Sequence, residues 1–255
     1  MIDEFVGVIL SGAKDRSRYA CEPRASLAPP IRSFASLRMT LAAGLLLLTA
    51  CSDIATPIRD NFYEWRLIVP AASGTGIDSL TFHWPKDRLP VRVWVEDAAN
   101  LTQNVPKAIA AWRAAFLYRE FEATIVSDSS KADIIVRAGP APGIPLFSRT
   151  RFLSAFAPEC VGATDINVSD DHTQLRLPIR IYIDPRSNPD VPGLNDCLAL
   201  TTTHEFGHAL GIFRHSTVAT DLMYADPVVP APSIRDLETA ELIYHLEPDL
   251  VPVGP

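Results

Sequence analysis

Three histidines lie close together in the chain, at a spacing that suits the binding of one metal ion. Two of them, His204 and His208, are four residues apart in the run HEFGH. On a helix, residues four apart lie on the same side with about 5–6 Å between their β-carbons, so both imidazoles can face one metal. Glu205 would then flank the same metal, where its carboxylate can reach a metal-bound water and act as a general base.

His215 is the expected third ligand. Gly211 lies three residues after His208, and glycine readily adopts the left-handed backbone conformation that ends a helix. The chain can then bend back and bring His215 to the metal. Three neutral imidazoles would leave the fourth tetrahedral position open to water, whose pKa zinc lowers to about 7, so the spacing favours one catalytic Zn²⁺ ion. Asp221 stays open as an alternative third ligand.

The same region resembles the metzincin zinc peptidases, and in particular their matrixin branch. The run HEFGHALG, followed by His215 and a serine, carries the resemblance, and DLMY at residues 221–224 is similar to the methionine turn of that family. The resemblance implies a zincin-like catalytic domain in which Met223 lies under the three histidines, Tyr224 lies beside it, and a substrate cleft crosses the site. The family spacing would place the third ligand at Arg214, whose guanidinium stays protonated and offers only hydrogen-bond donors.

The function that these residues favour is the hydrolysis of peptide bonds by a zinc metalloendopeptidase. Glu205 would take a proton from the metal-activated water and pass it to the departing amine. The expected partner is a peptide or protein substrate, bound in extended form along an edge strand at residues 164–168. Two alternatives stay open: a non-catalytic envelope lipoprotein that binds a peptide or glycan through the same fold, and a zinc amidase that acts on cell-wall peptide. The net charge of -7 argues against a nucleic-acid partner, and we expect a monomer.

Apolar patterns in the sequence predict the elements that would position the site. Valines at positions 91, 93 and 95 alternate with other residues and indicate a half-buried strand. Further strands are expected at residues 123–126, 134–136, 164–168 and 175–183, and helices near residues 104–116, 198–211 and 233–246. Ser233 and Asp236 are expected to cap the last of these helices. Pro178 interrupts the last strand, which indicates a bulge or a position partly at an edge. The predicted fold class is α/β, or α+β, with one mixed five-stranded sheet, an active-site helix and a C-terminal helix.

The predicted catalytic domain occupies residues 89–255, and other roles are expected for the chain before it. Residues 1–38 are a basic extension that fits neither a signal nor a domain. Residues 39–51 are predicted to be a signal peptide, because their apolar run is too short to span a bilayer. That run ends in Leu-Thr-Ala-Cys, which resembles the lipobox of bacterial lipoproteins, so Cys51 is the expected lipidation site. Residues 52–88 are expected to be a linker with a weak strand around residues 65–69.

These features predict an exported protein, either a lipoprotein of the cell envelope or a secreted protein. The only membrane contact expected is a lipid anchor on Cys51. Export also favours a disulfide between Cys160 and Cys197, the two cysteines that remain for the mature domain. Two unpaired buried thiols stay open as the alternative.

Overall fold

The computed structural model describes residues 61–143, 149–154, 160–186 and 192–254 of the chain. The extension at residues 1–38, the signal peptide and the lipidation site Cys51 lie outside the described residues. No helix in the described part is long and apolar enough to cross a membrane.

The described chain contains nine strands and three α-helices. In order they are β1 (Leu67–Pro70), β2 (Ile77–Leu80), β3 (Val91–Val95), α1 (Leu101–Arg113), β4 (Ala123–Val126), β5 (Ile134–Ala138), β6 (Arg149–Ser154), β7 (Cys160–Val168), β8 (Gln174–Pro185), α2 (Leu194–Ala209), α3 (Ile234–Tyr244) and β9 (Val251–Val253). Strands β1 and β2 form an antiparallel hairpin. The other strands form one mixed sheet in the order β4-β3-β5-β8-β7-β6, with β9 paired to the start of β8. Within it, β7 runs antiparallel to both β8 and β6.

This mixed α/β architecture confirms the predicted fold class, but the predicted number of five strands is wrong. The described sheet has seven strands, and the two additional ones are β6 and β9. Strand β9 has three residues with a proline at its centre, and β6 carries two arginines among six residues. Neither shows the alternation of apolar residues that indicates a strand, so pairing with longer strands determines their conformation.

Helix α2, which carries His204 and His208, is buried along most of its length. It contacts α1, β7 and β8, and the indole Nε1 of Trp112 in α1 donates a hydrogen bond to the carbonyl oxygen of Thr203 at 2.8 Å. The apolar side chains that meet in this core include Val93, Val105, Val136, Ile181, Leu198 and Phe206. Because neighbours surround α2, its sequence has no polar face of the kind that marks a surface helix.

The helix ends differ from the predicted ends by a few residues. Helix α1 begins at Leu101 rather than near Asn104, which is buried within the first turn. Helix α2 spans Leu194–Ala209 rather than residues 198–211. The start of α3 agrees with the prediction, because Ser233 and Asp236 form a capping box there.

The weak strand expected around residues 65–69 is present as β1, but the surrounding residues 61–88 are packed into the fold and are not a linker. Residues 61–88 include β1 and β2 and contribute buried aromatic side chains to the core, among them Trp65 and Trp84. The indole Nε1 of Trp84 donates to the carbonyl oxygen of Ala209 at 3.0 Å, and the Phe213 amide donates to the carbonyl oxygen of Trp65 at 2.8 Å. The aromatic residues of this segment follow no helical or strand period, so the sequence pattern did not reveal that they pack against the end of α2.

Strand β7 is not the edge strand that we expected at residues 164–168. It pairs with β8 on one side and with β6 on the other, so neither of its edges is open. The irregularity expected at Pro178 lies in an interior strand, where the register of β7 against β8 shifts between Asp165 and Asn167. Strand β9 pairs with β8 before this proline and β5 pairs with it afterwards. The missing N–H of proline therefore falls between two partner strands.

Candidate metal centre

Helix α2 places His204 and His208 one turn apart, and backbone carbonyls orient both imidazoles. The Nδ1 of His204 lies 2.7 Å from the carbonyl oxygen of Leu222, and the Nδ1 of His208 lies 2.6 Å from that of Ile212. A carbonyl oxygen can only accept, so each Nδ1 carries the proton and each Nε2 is the nitrogen with a lone pair in the neutral ring. The two Nε2 atoms lie 3.1 Å apart.

The loop after α2 brings His215 to the same place. Gly211 ends the helix with a φ of 108°, and a side chain there would overlap the carbonyl oxygen of Phe82. Further on, the Ser216 amide donates to the carbonyl oxygen of Met223 at 2.7 Å, which closes the base of the following loop. His215 is half-buried beside this closure, and its Nε2 makes no hydrogen bond within the described residues.

The three imidazoles form a nearly regular triangle. Their ring centroids are separated by 4.9 Å (His204 to His208), 5.2 Å (His204 to His215) and 5.1 Å (His208 to His215). Their ligand nitrogens all lie within 4.8 Å of one another. Two nitrogens on a tetrahedral zinc are about 3.3 Å apart, given Zn–N distances of about 2.0–2.1 Å, so the cluster can hold a metal ion after a small inward movement. Arg214, which the metzincin spacing would place at the third ligand position, is exposed.

Burial keeps these imidazoles in the neutral form that a metal requires. Desolvation, with a smaller contribution from His215, lowers the pKa of His204 to about 3. Desolvation also lowers the pKa of His208 well below its ordinary value, with smaller contributions from the two neighbouring histidines. For His215, burial alone lowers the pKa. At neutral pH each imidazole is therefore uncharged and keeps one nitrogen lone pair for a metal.

Glu205 points towards β7 from the helix turn that carries His204. Its side chain is fully buried, and Thr164 Oγ1 donates a hydrogen bond to Glu205 Oε2 at 2.6 Å. Gly162 lies two residues earlier on β7, and a β-carbon there would lie 2.7 Å from Glu205 Cγ. The glycine therefore leaves room for the Glu205 side chain. The carboxylate thus occupies a defined position between α2 and the sheet.

Met223 lies against α2 at Gly207, the residue that precedes His208. A β-carbon on Gly207 would overlap the Met223 sulfur and would lie 2.7 Å from Trp112 Cζ2, so the glycine permits this close approach. Met223 is fully buried, whereas Tyr224 is half-buried. The methionine therefore packs against α2 at Gly207.

The carboxylate of Asp221 binds other residues of the loop and of α3, and it is not part of the histidine cluster. Its carboxylate accepts hydrogen bonds from the hydroxyls of Ser216 and Ser233, and it forms a 3.1 Å ion pair with Arg235. Among the described residues, the group of possible metal ligands consists of the three histidines alone. The structure therefore brings His215, and not Asp221, to the third position.

Asp236 supports the site in a way that the sequence pattern did not reveal. Its carboxylate accepts from the Leu222 amide at 2.7 Å, from the Met223 amide at 3.4 Å and from the Tyr63 hydroxyl at 2.8 Å. Burial raises the pKa of Asp236 despite these bonds. Since the Leu222 carbonyl accepts from His204, this carboxylate helps to hold a peptide that orients a ligand. Its capping pattern with Ser233 was the one available signal.

Cys160 and Cys197 are joined by a disulfide with a Cα–Cα distance of 6.2 Å. The bond connects the first residue of β7 to the first turn of α2. The disulfide therefore links β7, which contacts the Glu205 side chain, to α2, which carries Glu205.

Comparisons with known proteins do not assign the chain to a family. No protein-family model matches the sequence, and no curated protein matches it.

Proposed function

We propose that the chain is a zinc-dependent metalloendopeptidase with a zincin-like catalytic domain of the metzincin type. The observation that carries the proposal is the convergence of three imidazoles, two of them with Nδ1 committed to a backbone carbonyl. Three nitrogen ligands with one open position are typical of catalytic zinc, whereas structural zinc has four protein ligands. Imidazole also suits copper, iron and nickel, so metal analysis of the purified protein belongs to the test.

His204, His208 and His215 would hold the ion, and the carbonyls of Leu222 and Ile212 would keep the two helical imidazoles in the required tautomer. Bound zinc would polarise the scissile carbonyl and lower the pKa of a water molecule. Glu205 is the base in this proposal: its carboxylate takes the water proton and returns it to the departing amine. Buried Met223 gives the ligand-bearing helix a firm apolar support.

We further propose that the protein is exported and acts on peptide or protein substrates as a monomer. The disulfide between Cys160 and Cys197 supports export, because such bonds persist in oxidising compartments. The lipobox-like sequence at Cys51 supports anchoring in the cell envelope.

The test is digestion of a peptide library by the purified protein, with zinc content measured in the same samples. Glu205→Gln should retain zinc but lose hydrolysis by about 10²–10⁴-fold, because it removes the base and keeps the shape. The matched control is Glu247→Gln, a change at an exposed glutamate, which should cleave like the parent. Zinc binding without cleavage of any library member would favour a binding lipoprotein, and cleavage of cell-wall peptides alone would favour an amidase.

A further inference from the structure

One face of helix α2 and one face of strand β7 meet in register. Successive contacts are spaced four residues apart on the helix and two apart on the strand. The paired positions are Cys197 with Cys160, Thr201 with Gly162, and Glu205 with Thr164. Four helical residues rise about 6 Å and two strand residues advance about 6.6 Å. The two elements therefore stay matched over all three contacts.

The last contact of this register involves the proposed base. Thr164 Oγ1 lies 2.6 Å from Glu205 Oε2 and 3.1 Å from the backbone carbonyl oxygen of the same residue. Both side chains are fully buried. A hydroxyl that donates to a carboxylate forms a short, charge-assisted hydrogen bond, which is about twice as strong as a bond between neutral groups. The hydroxyl therefore restrains the carboxylate at one oxygen.

Two neighbouring features keep this contact in place. Gly162 leaves room for the Glu205 side chain, because an added β-carbon would overlap the carboxylate and approach Thr201 Cγ2 to 2.6 Å. The side chain of Thr164 is β-branched, so few χ1 rotamers are open to it. The orientation of the carboxylate is thus determined by β7 as well as by its own helix.

We propose that Thr164 is a positioning residue for Glu205, and that its hydroxyl holds the carboxylate in the orientation needed for proton transfer. This inference rests on the proposed function, since it assigns a role within that reaction. Thr164 acts through Glu205 and does not ligate the metal. Its removal should slow the chemical step and leave substrate binding and zinc content unchanged, because the zinc ligands and the loop that carries His215 are not altered.

The decisive comparison is between Thr164→Val, which keeps the shape of the side chain and removes the hydroxyl, and Thr164→Ser, which keeps the hydroxyl. We expect the valine variant to lose about 10–100-fold in kcat, the range typical of lost outer-shell contacts, with KM and zinc stoichiometry within twofold of the parent. The serine variant should recover most of the loss. Thr164→Ala is the second variant without a hydroxyl, for use if valine prevents folding.

Thr202→Val is the matched control, because Thr202 is also buried but donates to the carbonyl oxygen of Leu198 within the helix. It should keep the parent kcat. A parent-like kcat in Thr164→Val, a rise in KM alone, or a serine variant as slow as the valine variant would each overturn the inference while leaving the peptidase proposal intact.

A second readout does not depend on activity. In metal-free protein, the free energies of unfolding of Thr164→Val, Glu205→Ala and the double variant should be non-additive, with the double variant losing less than the sum of the single changes. Strict additivity would mean that the contact is not formed, and would overturn the inference. Non-additivity together with an inactive parent protein would instead refute the proposed function and retain the pairing.

Discussion

Replacing His215 with alanine should weaken zinc binding far more than replacing its neighbour Arg214. Structural zinc sites with four protein ligands bind with about 10–16 kcal/mol, or about 2.5–4 kcal/mol per ligand. Removing one imidazole should therefore raise the dissociation constant by about 10²- to 10³-fold. The nitrogens of the other two histidines would remain 3.1 Å apart, so two ligands persist and binding is weakened rather than abolished.

The measurement is a competition titration of metal-stripped protein against a chromogenic zinc chelator. Arg214→Ala is the matched control, because Arg214 is adjacent in sequence, occupies the position of the family spacing and is exposed. Its dissociation constant should equal that of the parent. Full-affinity zinc binding by His215→Ala would refute the assignment of the third ligand.

Asp221→Ala tests the alternative ligand and should give a different result. Loss of the carboxylate leaves the hydroxyls of Ser216 and Ser233 and the guanidinium of Arg235 without their acceptor. Unsatisfied groups of this kind cost about 1–3 kcal/mol each, so urea denaturation should show reduced stability. The zinc affinity of the folded variant should fall much less than that of His215→Ala. A larger loss of affinity in Asp221→Ala would show that the loop folds differently around the metal.

Four further predictions concern the frame of the site and export. Mass spectrometry of the unreduced chain should find Cys160 linked to Cys197, and reduction should lower the free energy of unfolding by about 2–4 kcal/mol; two free thiols would contradict the structure. Gly207→Ala should cost about 1–3 kcal/mol in urea denaturation, because its methyl group overpacks the core under α2; parent-like stability would show that the core can yield. The pKa of His204 is about 3 in the fold and about 6.5 when unfolded. The unfolded chain therefore binds more protons between these values, so metal-free protein should lose stability as the pH falls from about 6.5 to 3, and a flat profile would contradict the burial. Cys51→Ala should leave the membrane fraction or fail to be processed, whereas unchanged fractionation would refute the lipobox.

Local regularities in the sequence were sufficient to predict much of the fold. The alternating valines of β3, the apolar runs of β4 and β5, and the capping pattern at Ser233 each express a preference that acts within a few residues. Strands β6 and β9 and the aromatic segment at residues 61–88 lack such periods, and their positions depend on partners far along the chain. For the same reason, the sequence did not show that β6 pairs with β7, and β7 was wrongly predicted to be an edge strand.

The sequence by itself determined which residues offer metal-binding chemistry, because the helical repeat requires His204 and His208 to share a face whatever surrounds them. The choice between His215 and Asp221 was decided only by tertiary structure: three polar partners hold the aspartate within its loop, while the histidine joins the cluster. Thr164 acquired its role in the same way. It lies 41 residues from Glu205 in sequence, and no local pattern predicts their contact, because it arises when buried α2 packs against the sheet.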